Sequence, residues 1–331
     1  MFNALISELR MALLASLAVA GLVAAPQVSA QESFPNKSIR LVVPFAPGGV
    51  TDTSGRLIAE NLSKRLGQQV FVENKPGASG NIGTAQVANA EPDGYTLVLG
   101  FDGTMVINPH VFDKVPFDTV KDFAPVGKIG NAILILVANP GLSAKSLTEV
   151  VELSKKQPGG LSYGTSGIGG TPHIAGELLN QQSGAKLMHV PYKGGGQALI
   201  DVQGGTIPLV YTAVAGAYQL VKTGRVVPIA VSSAQRATSL PEVPTFIESG
   251  LKDFVVDSWV GIFAPAKTPK PVITRLNNEL NLVLKDPEVI AKLNTLGITA
   301  APGTPEKFSE EIKNDLVKYG SVVKAAGIRV D

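Results

Sequence analysis

The stretch Ile39-Arg40-Leu41-Val42-Val43-Pro44-Phe45-Ala46-Pro47-Gly48-Gly49-Val50-Thr51-Asp52 decides how this chain is read. A short β-rich run ends in a proline- and glycine-rich turn, and the turn opens a helix. In that helix Ile58, Leu62 and Leu66 fall four apart on one face, and Gly67 stops it. The pattern then recurs. Val70–Glu73 reads as a second strand, 83–90 as a helix, Pro92-Asp93-Gly94 as a turn and 95–99 as a third strand. Strands alternating with helices predict a mainly parallel sheet covered on both faces.

The middle of the chain repeats the rhythm. Strands are expected at 132–137, 161–163, 187–190, 209–211 and 226–231, with helices over 146–157, from Thr171-Pro172, and around Ala198, Leu199 and Val202. Trp259-Val260-Gly261-Ile262-Phe263 is a further strand. Two amphipathic helices close the chain, one carrying Ile273, Leu276, Leu280 and Val283, the other Phe308, Ile312, Leu316, Tyr319 and Val323. Two similar halves imply two lobes with a cleft between them.

Three more glycine-rich turns follow apolar runs in the same way: 74–83 (Asn-Lys-Pro-Gly-Ala-Ser-Gly-Asn-Ile-Gly), 164–173 (Gly-Thr-Ser-Gly-Ile-Gly-Gly-Thr-Pro-His) and 191–196 (Pro-Tyr-Lys-Gly-Gly-Gly). Bare backbone between a strand and a helix offers N–H groups to an anion. Gly48 and Gly49 present no Cβ to an approaching oxygen, and the helix opened at Thr51-Asp52 adds its positive end. Ser79, Thr165, Ser166 and Thr171 add hydroxyl donors. No arginine lies in the four turns. The expected site therefore grips a carboxylate with neutral donors and bridging water rather than a guanidinium fork.

Composition narrows the field. The chain has 331 residues, a formal charge of +2 and 6% aromatic residues, with no basic run, so a nucleic-acid surface is not expected. It has no cysteine, which excludes disulfides, thiolate metal sites and a cysteine nucleophile. Arg10, the apolar stretch 11–25 and Val28-Ser29-Ala30 read as a cleavable signal peptide over residues 1–30. That stretch falls short of the ~20 residues that span a bilayer. The remaining chain, about 300 residues, suits two domains.

From Phe34-Pro35 almost to the end, the chain resembles the tripartite tricarboxylate transporter receptors, the TctC or Bug family of periplasmic solute-binding proteins. The resemblance rests on Pro-Phe-x-Pro-Gly-Gly-x-x-Asp at 44–52, Glu-Asn-Lys-Pro-Gly-Ala at 73–78, Pro-Asp-Gly-Tyr-Thr-Leu at 92–97, Ser-Gly-x-Gly-Gly-Thr-Pro-His at 166–173, Val-Pro-Tyr-Lys-Gly at 190–194, Leu-Pro-x-Val-Pro-Thr at 240–245 and Trp-x-Gly-x-x-Ala-Pro at 259–265, in shared order and spacing. It implies an α/β, two-lobed type II periplasmic binding protein with two crossings between lobes, near Lys128 and Val260. Lobe I would be 31–128 with 261–331, and lobe II 129–260. It also implies a non-enzyme that passes a small organic carboxylate to a membrane permease, with no cofactor and no metal, acting as a monomer in the periplasm.

The candidate ligand-binding residues are Phe45, Ala46, Gly48, Gly49 and Asp52 in the first turn; Ala78 and Ser79 in the second; Asp102; Thr165, Ser166, Gly169, Thr171 and His173 in the third; Tyr192, Lys193 and Gly194 in the fourth; and Thr212. Each has a plainer role. Asp52 suits a helix N-cap better than a contact, because a carboxylate repels an anion. Lys75 and Lys193 suit solvated steering charges. Gly194 to Gly196 suit a simple turn, Tyr192 and Trp259 suit packing, and His110, His173 and His189 lack metal-ligand spacing and suit structural roles. Many family members carry an aspartate after Gly204-Gly205, where this chain has Pro208 and Thr212. That favours a plain carboxylic acid over an amino acid.

Two rivals remain. Gly164-Thr165-Ser166-Gly167-Ile168 nearly spells a nucleophile elbow, with His173 or His189 and Asp201 as partners for a hydrolase built on Ser166. A ligand-sensing module with a signalling partner would use the same lobes.

Overall fold

The computed structural model describes residues 34–45, 47, 50–192 and 195–329. The expected signal peptide, together with Ala46, Gly48, Gly49, Lys193 and Gly194, lies outside the described residues. The compact unit that carries the fold begins at Lys37.

The unit opens with β1 (Ile39–Val43), α1 (Val50–Leu66) and β2 (Val70–Asn74), followed by a 3-10 turn at Ala78–Gly80, α2 (Asn81–Ala88) and β3 (Thr96–Phe101). A π-helical turn at Gly103–Ile107 runs into α3 (Asn108–Val111) and then β4 (Phe123–Ala132). The second half contains β5 (Leu134–Ala138), α4 (Leu147–Lys156), β6 (Leu161–Thr165), α5 (Thr171–Ser183), β7 (Leu187–Pro191), α6 (Gly195–Gly204), β8 (Leu209–Ala213), α7 (Val214–Lys222) and β9 (Val227–Val231). The chain ends with β10 (Ser258–Pro265), α8 (Lys270–Val283), α9 (Pro287–Thr295), β11 (Ile298–Ala300) and α10 (Pro305–Ala326).

Two sheets result, ordered β11-β4-β10-β3-β1-β2 and β7-β6-β8-β5-β9. Both are mixed, which corrects the expectation of mainly parallel sheets. Strands β1, β2 and β3 are parallel, as are β6, β7 and β8. The strand that enters each sheet after a change runs the other way: β10 is antiparallel to β3 and β4, and β5 to β8 and β9. The chain leaves the first sheet after Ala132 and enters the second at Leu134, then returns between Val231 and Ser258. Lys128 and Val260 both lie inside strands of the first sheet.

Every residue of β10 is buried, as a strand covered on both faces requires. Trp259 meets Phe308 edge-to-face at 5.0 Å, and Phe263 lies 5.3 Å from Phe308. One buried cluster takes in Val42, Val98 and Phe263 from the first sheet and Leu134, Tyr163 and Tyr211 from the second. The two halves thus share a core. The four turns all leave the carboxyl ends of parallel strands, namely β1, β2, β6 and β7. That is where open α/β sheets place ligands.

Candidate functional site

The first turn ends in α1, and Asp52 lies in its first turn rather than at its cap. Its carboxylate is buried. Arg56 Nε donates to Oδ2 at 3.1 Å, Arg56 Nη2 approaches Oδ1 at 3.0 Å, and Asn74 Nδ2 donates to Oδ1 at 2.8 Å. Asp52 is therefore a neutralised strut between α1 and the end of β2. Asn74 also donates to the Phe45 carbonyl at 3.0 Å, tying the first turn to the second. The Phe45 ring packs edge-on against Phe101 at 5.9 Å.

The second turn is an unusual piece of backbone. Gly77, Ala78, Ser79 and Gly80 all have positive φ, at 137°, 46°, 53° and 92°. Gly80 cannot be replaced easily, because a Cβ there would meet Thr104 Oγ1 at 2.5 Å and Phe45 Cζ at 3.2 Å. The Ser79 carbonyl accepts from Thr104 Oγ1 at 2.8 Å and from Asn108 Nδ2 at 3.0 Å. The N–H groups of Gly80 and Ile82 donate to the Gly77 carbonyl, and that of Asn81 to the Ala78 carbonyl. This corrects a sequence-level expectation: the amides that open α2 are already engaged by the turn itself. Ala78 and Ser79 are exposed at its tip.

The third turn is different. His173 and Ile174 donate to the Gly170 carbonyl, and Gly169 N–H donates to His173 Nδ1 at 3.0 Å. The N–H groups of Ser166, Ile168, Gly170 and Thr171 have no acceptor among the described residues. Pro172 has no N–H at all. Ser166 is exposed and Thr165 is buried. Thr165 Oγ1 donates to the Gly167 carbonyl at 2.8 Å and lies 2.6 Å from His189 Nε2. Its hydroxyl is occupied by the loop. In the fourth turn Tyr192 donates its N–H to the Thr165 carbonyl and its hydroxyl to Asp201 Oδ2 at 2.8 Å. Thr212 is buried at the end of β8, where a Cβ on Gly195 would meet its Oγ1 at 3.2 Å.

The two halves meet at Asp102, which is fully buried. Thr171 Oγ1, from the first residue of α5, donates to Asp102 Oδ2 at 2.6 Å, and Ser258 Oγ, from the first residue of β10, donates to Oδ1 at 2.6 Å. Burial pushes this carboxyl up to about 7, outweighing the Ser258 and Thr171 hydroxyls and the Gly103 N–H that stabilise its charge. Asp102 and Thr171, both read as ligand contacts, are bonded to each other.

The arrangement is two lobes joined through a buried acid, with glycine turns at the strand ends of each. Comparison with known proteins identifies it. The model of the tripartite tricarboxylate transporter family receptor matches residues 55–328.

The chain belongs to the TctC receptor family.

Three solved structures agree. The periplasmic binding protein BugD is 34% identical, with a TM-score of 0.78 over 90% of this chain and 100% of its own. An R. palustris protein with adipate is 32% identical at a TM-score of 0.82, over 90% and 100%. MatC from Rhodopseudomonas palustris, with bound malate, is 31% identical at 0.77, over 88% and 100%. The fold is thus the two-lobed periplasmic binding protein fold, and the family is one of solute-binding receptors, not of enzymes.

The geometry around Ser166 agrees with a TctC receptor and not with a hydrolase. His189 Nε2 faces Thr165, His173 Nδ1 faces a backbone N–H, and Asp201 accepts from Tyr192 and Gln197. These groups do not form a triad with Ser166. Sequence reading missed Asn74, Thr104, Asn108 and Ser258. Asn74 stood in a quoted motif, but nothing in the composition around Thr104, Asn108 or Ser258 marks them.

Proposed function

We propose that this chain is a periplasmic receptor that captures a small dicarboxylate between its lobes and delivers it to a tripartite tricarboxylate-type membrane permease. One observation carries the reading. The loop after β6 leaves four N–H groups without an acceptor among the described residues, at the start of α5. The same helix start is fastened to the other lobe through Thr171 and Asp102. An anion bound there meets the positive helix end and touches a junction between lobes. Relatives bound to adipate and to malate support a dicarboxylate. Neutral Thr212 at the end of β8 supports a plain acid over an amino acid.

In this reading the lobes divide at Ile133 and within 232–257, each lobe carries two of the turns, and a single chain supplies both walls, so the receptor works as a monomer. The test is a thermal-shift and calorimetric screen of the mature chain against malate, adipate, tricarboxylates, aromatic acids and aspartate. A matching dicarboxylate at a hundredfold excess over its Kd should stabilise the fold by about 2.7 kcal/mol. Stabilisation by aspartate but not malate or adipate would overturn the plain-acid assignment. Silence from every anion would overturn the receptor reading.

A further inference from the structure

His173 and His189 stack behind the third turn, their ring centroids 3.6 Å apart and their planes 14° apart. They come from different elements, α5 and β7, and their tautomers can be read from their partners. A carbonyl can only accept, so we assign the single proton of the Thr165 hydroxyl to the Gly167 carbonyl, which makes the 2.6 Å contact with His189 an Nε2–H donating to Oγ1. Gly169 N–H donates to His173 Nδ1 at 3.0 Å, so that nitrogen carries no proton and the ring proton sits on Nε2. Nε2 of His173 faces Glu177 Oε1 at 3.8 Å, and Glu177 also accepts from the Tyr163 hydroxyl at 2.9 Å. Both imidazoles are neutral, and burial holds both well below the usual histidine range.

The pair therefore pins the loop twice. His173 fixes the Gly169 amide, and His189 fixes Gly167 through Thr165. Gly167 and Gly169 have φ of 139° and 75°, conformations that side-chain-bearing residues rarely adopt. The loop is thus held in one of several shapes open to a glycine-rich segment. Between and beside the pinned points lie the N–H groups of Ser166, Ile168, Gly170 and Thr171.

We propose that His173 and His189 are positioning residues: a stacked pair that sets the anion-binding loop without touching the ligand. The inference rests on the reading of this loop as the carboxylate site. It departs from the sequence-level assignment of His173 and Thr165 as ligand contacts.

Two amide isosteres separate the ring nitrogens. Asparagine keeps an acceptor near the place of Nδ1, and glutamine keeps a donor near the place of Nε2. At position 173, His173→Asn should preserve Gly169 amide protection in hydrogen exchange, and His173→Gln should lose it about tenfold, the scale of one hydrogen bond. At position 189 the order should reverse, with His189→Gln retaining function and His189→Asn losing it. Malate or adipate affinity should follow the same order in each pair. Long-range proton–nitrogen correlation on the wild-type protein should show Nε2–H for both rings, a readout that needs no variant to fold. An Nδ1–H tautomer at His173, or equal Gly169 exchange in His173→Asn and His173→Gln, would overturn the proposal. So would lost affinity in His173→Asn with Gly169 protection intact, since His173 would then be a contact. If the wild type binds no dicarboxylate, the receptor reading fails, while Gly169 exchange and the tautomers still decide the pinning.

Discussion

Asp102 shows how little a residue type says about its role. Read as a pocket residue, it is buried and accepts hydroxyls from Thr171 and Ser258, 69 and 156 residues away in the chain. Its ordinary carboxyl value of 3.8 rises to about 7 in the fold. The folded state holds this proton to a higher pH than the unfolded chain does. Stability from this group is therefore complete below about pH 4 and is lost as the pH rises through 7. Urea unfolding between pH 5 and 8 should show this loss in the wild type and a flatter profile in Asp102→Asn. The histidine pair has the opposite sign. Both rings are lowered by burial, His173 to about 4 and His189 to about 3, so their stability is present above 6.5 and is lost as the pH falls toward 4. Gly169 gives a second prediction. Its φ is 75°, and a Cβ would meet Val111 Cγ1 at 2.8 Å. Gly169→Ala should cost about 1–3 kcal/mol in unfolding free energy, from the left-handed conformation plus the clash.

At the scale of elements, the second turn argues for function through strain. Ala78 and Ser79 hold left-handed φ although neither is glycine. Ser79→Gly should relieve up to about 1 kcal/mol and leave stability equal or higher. If the Ser79 hydroxyl contacts the carboxylate, calorimetry should show the same variant binding malate or adipate more weakly. A variant that binds as well as the wild type would reduce Ser79 to a turn former. The elements also show what sequence could teach. The run Trp259–Phe263 and the helix faces at 58, 62 and 66 were legible because burial imposes a period or an apolar run. The direction of β5 and β10 was not, since alternation along a strand carries no polarity. Gly103-Thr104-Met105-Val106-Ile107 is wholly buried and winds as a π-helical turn, so it has no exposed face to mark a period. The turns were legible as glycine-rich. Which amides they leave available was not: the second turn engages its own, and the third depends on His173 at its own end and on His189 of a neighbouring strand.

At the scale of the molecule, the halves are coupled at several points. Thr171 reaches Asp102 and Gly169 abuts Val111, while within the first half Ser258 also donates to Asp102 and Trp259 Nε1 donates to Asp315 at 2.8 Å beside the second sheet change. Thr171→Val should remove the hydroxyl that bridges to Asp102 and weaken dicarboxylate binding by up to about tenfold, with the fold retained by circular dichroism. The order of the four turns along the chain, and their places at the strand ends, followed from sequence. That Thr171 of the third turn would meet Asp102 after β3 did not, because nothing in the spacing of the motifs says which strand ends face one another across the two sheets.

The proposed capture of an acid depends on amides and hydroxyls of opposed lobes closing on it. A crystal structure of the chain from Gln31 onward, grown with malate or adipate, tests it most directly. One carboxylate should lie within hydrogen-bond reach of the Ser166 and Thr171 amides, with the other end of the ligand against the first lobe. A dicarboxylate bound away from residues 165–171, or held there mainly by a lysine or arginine side chain, would contradict it.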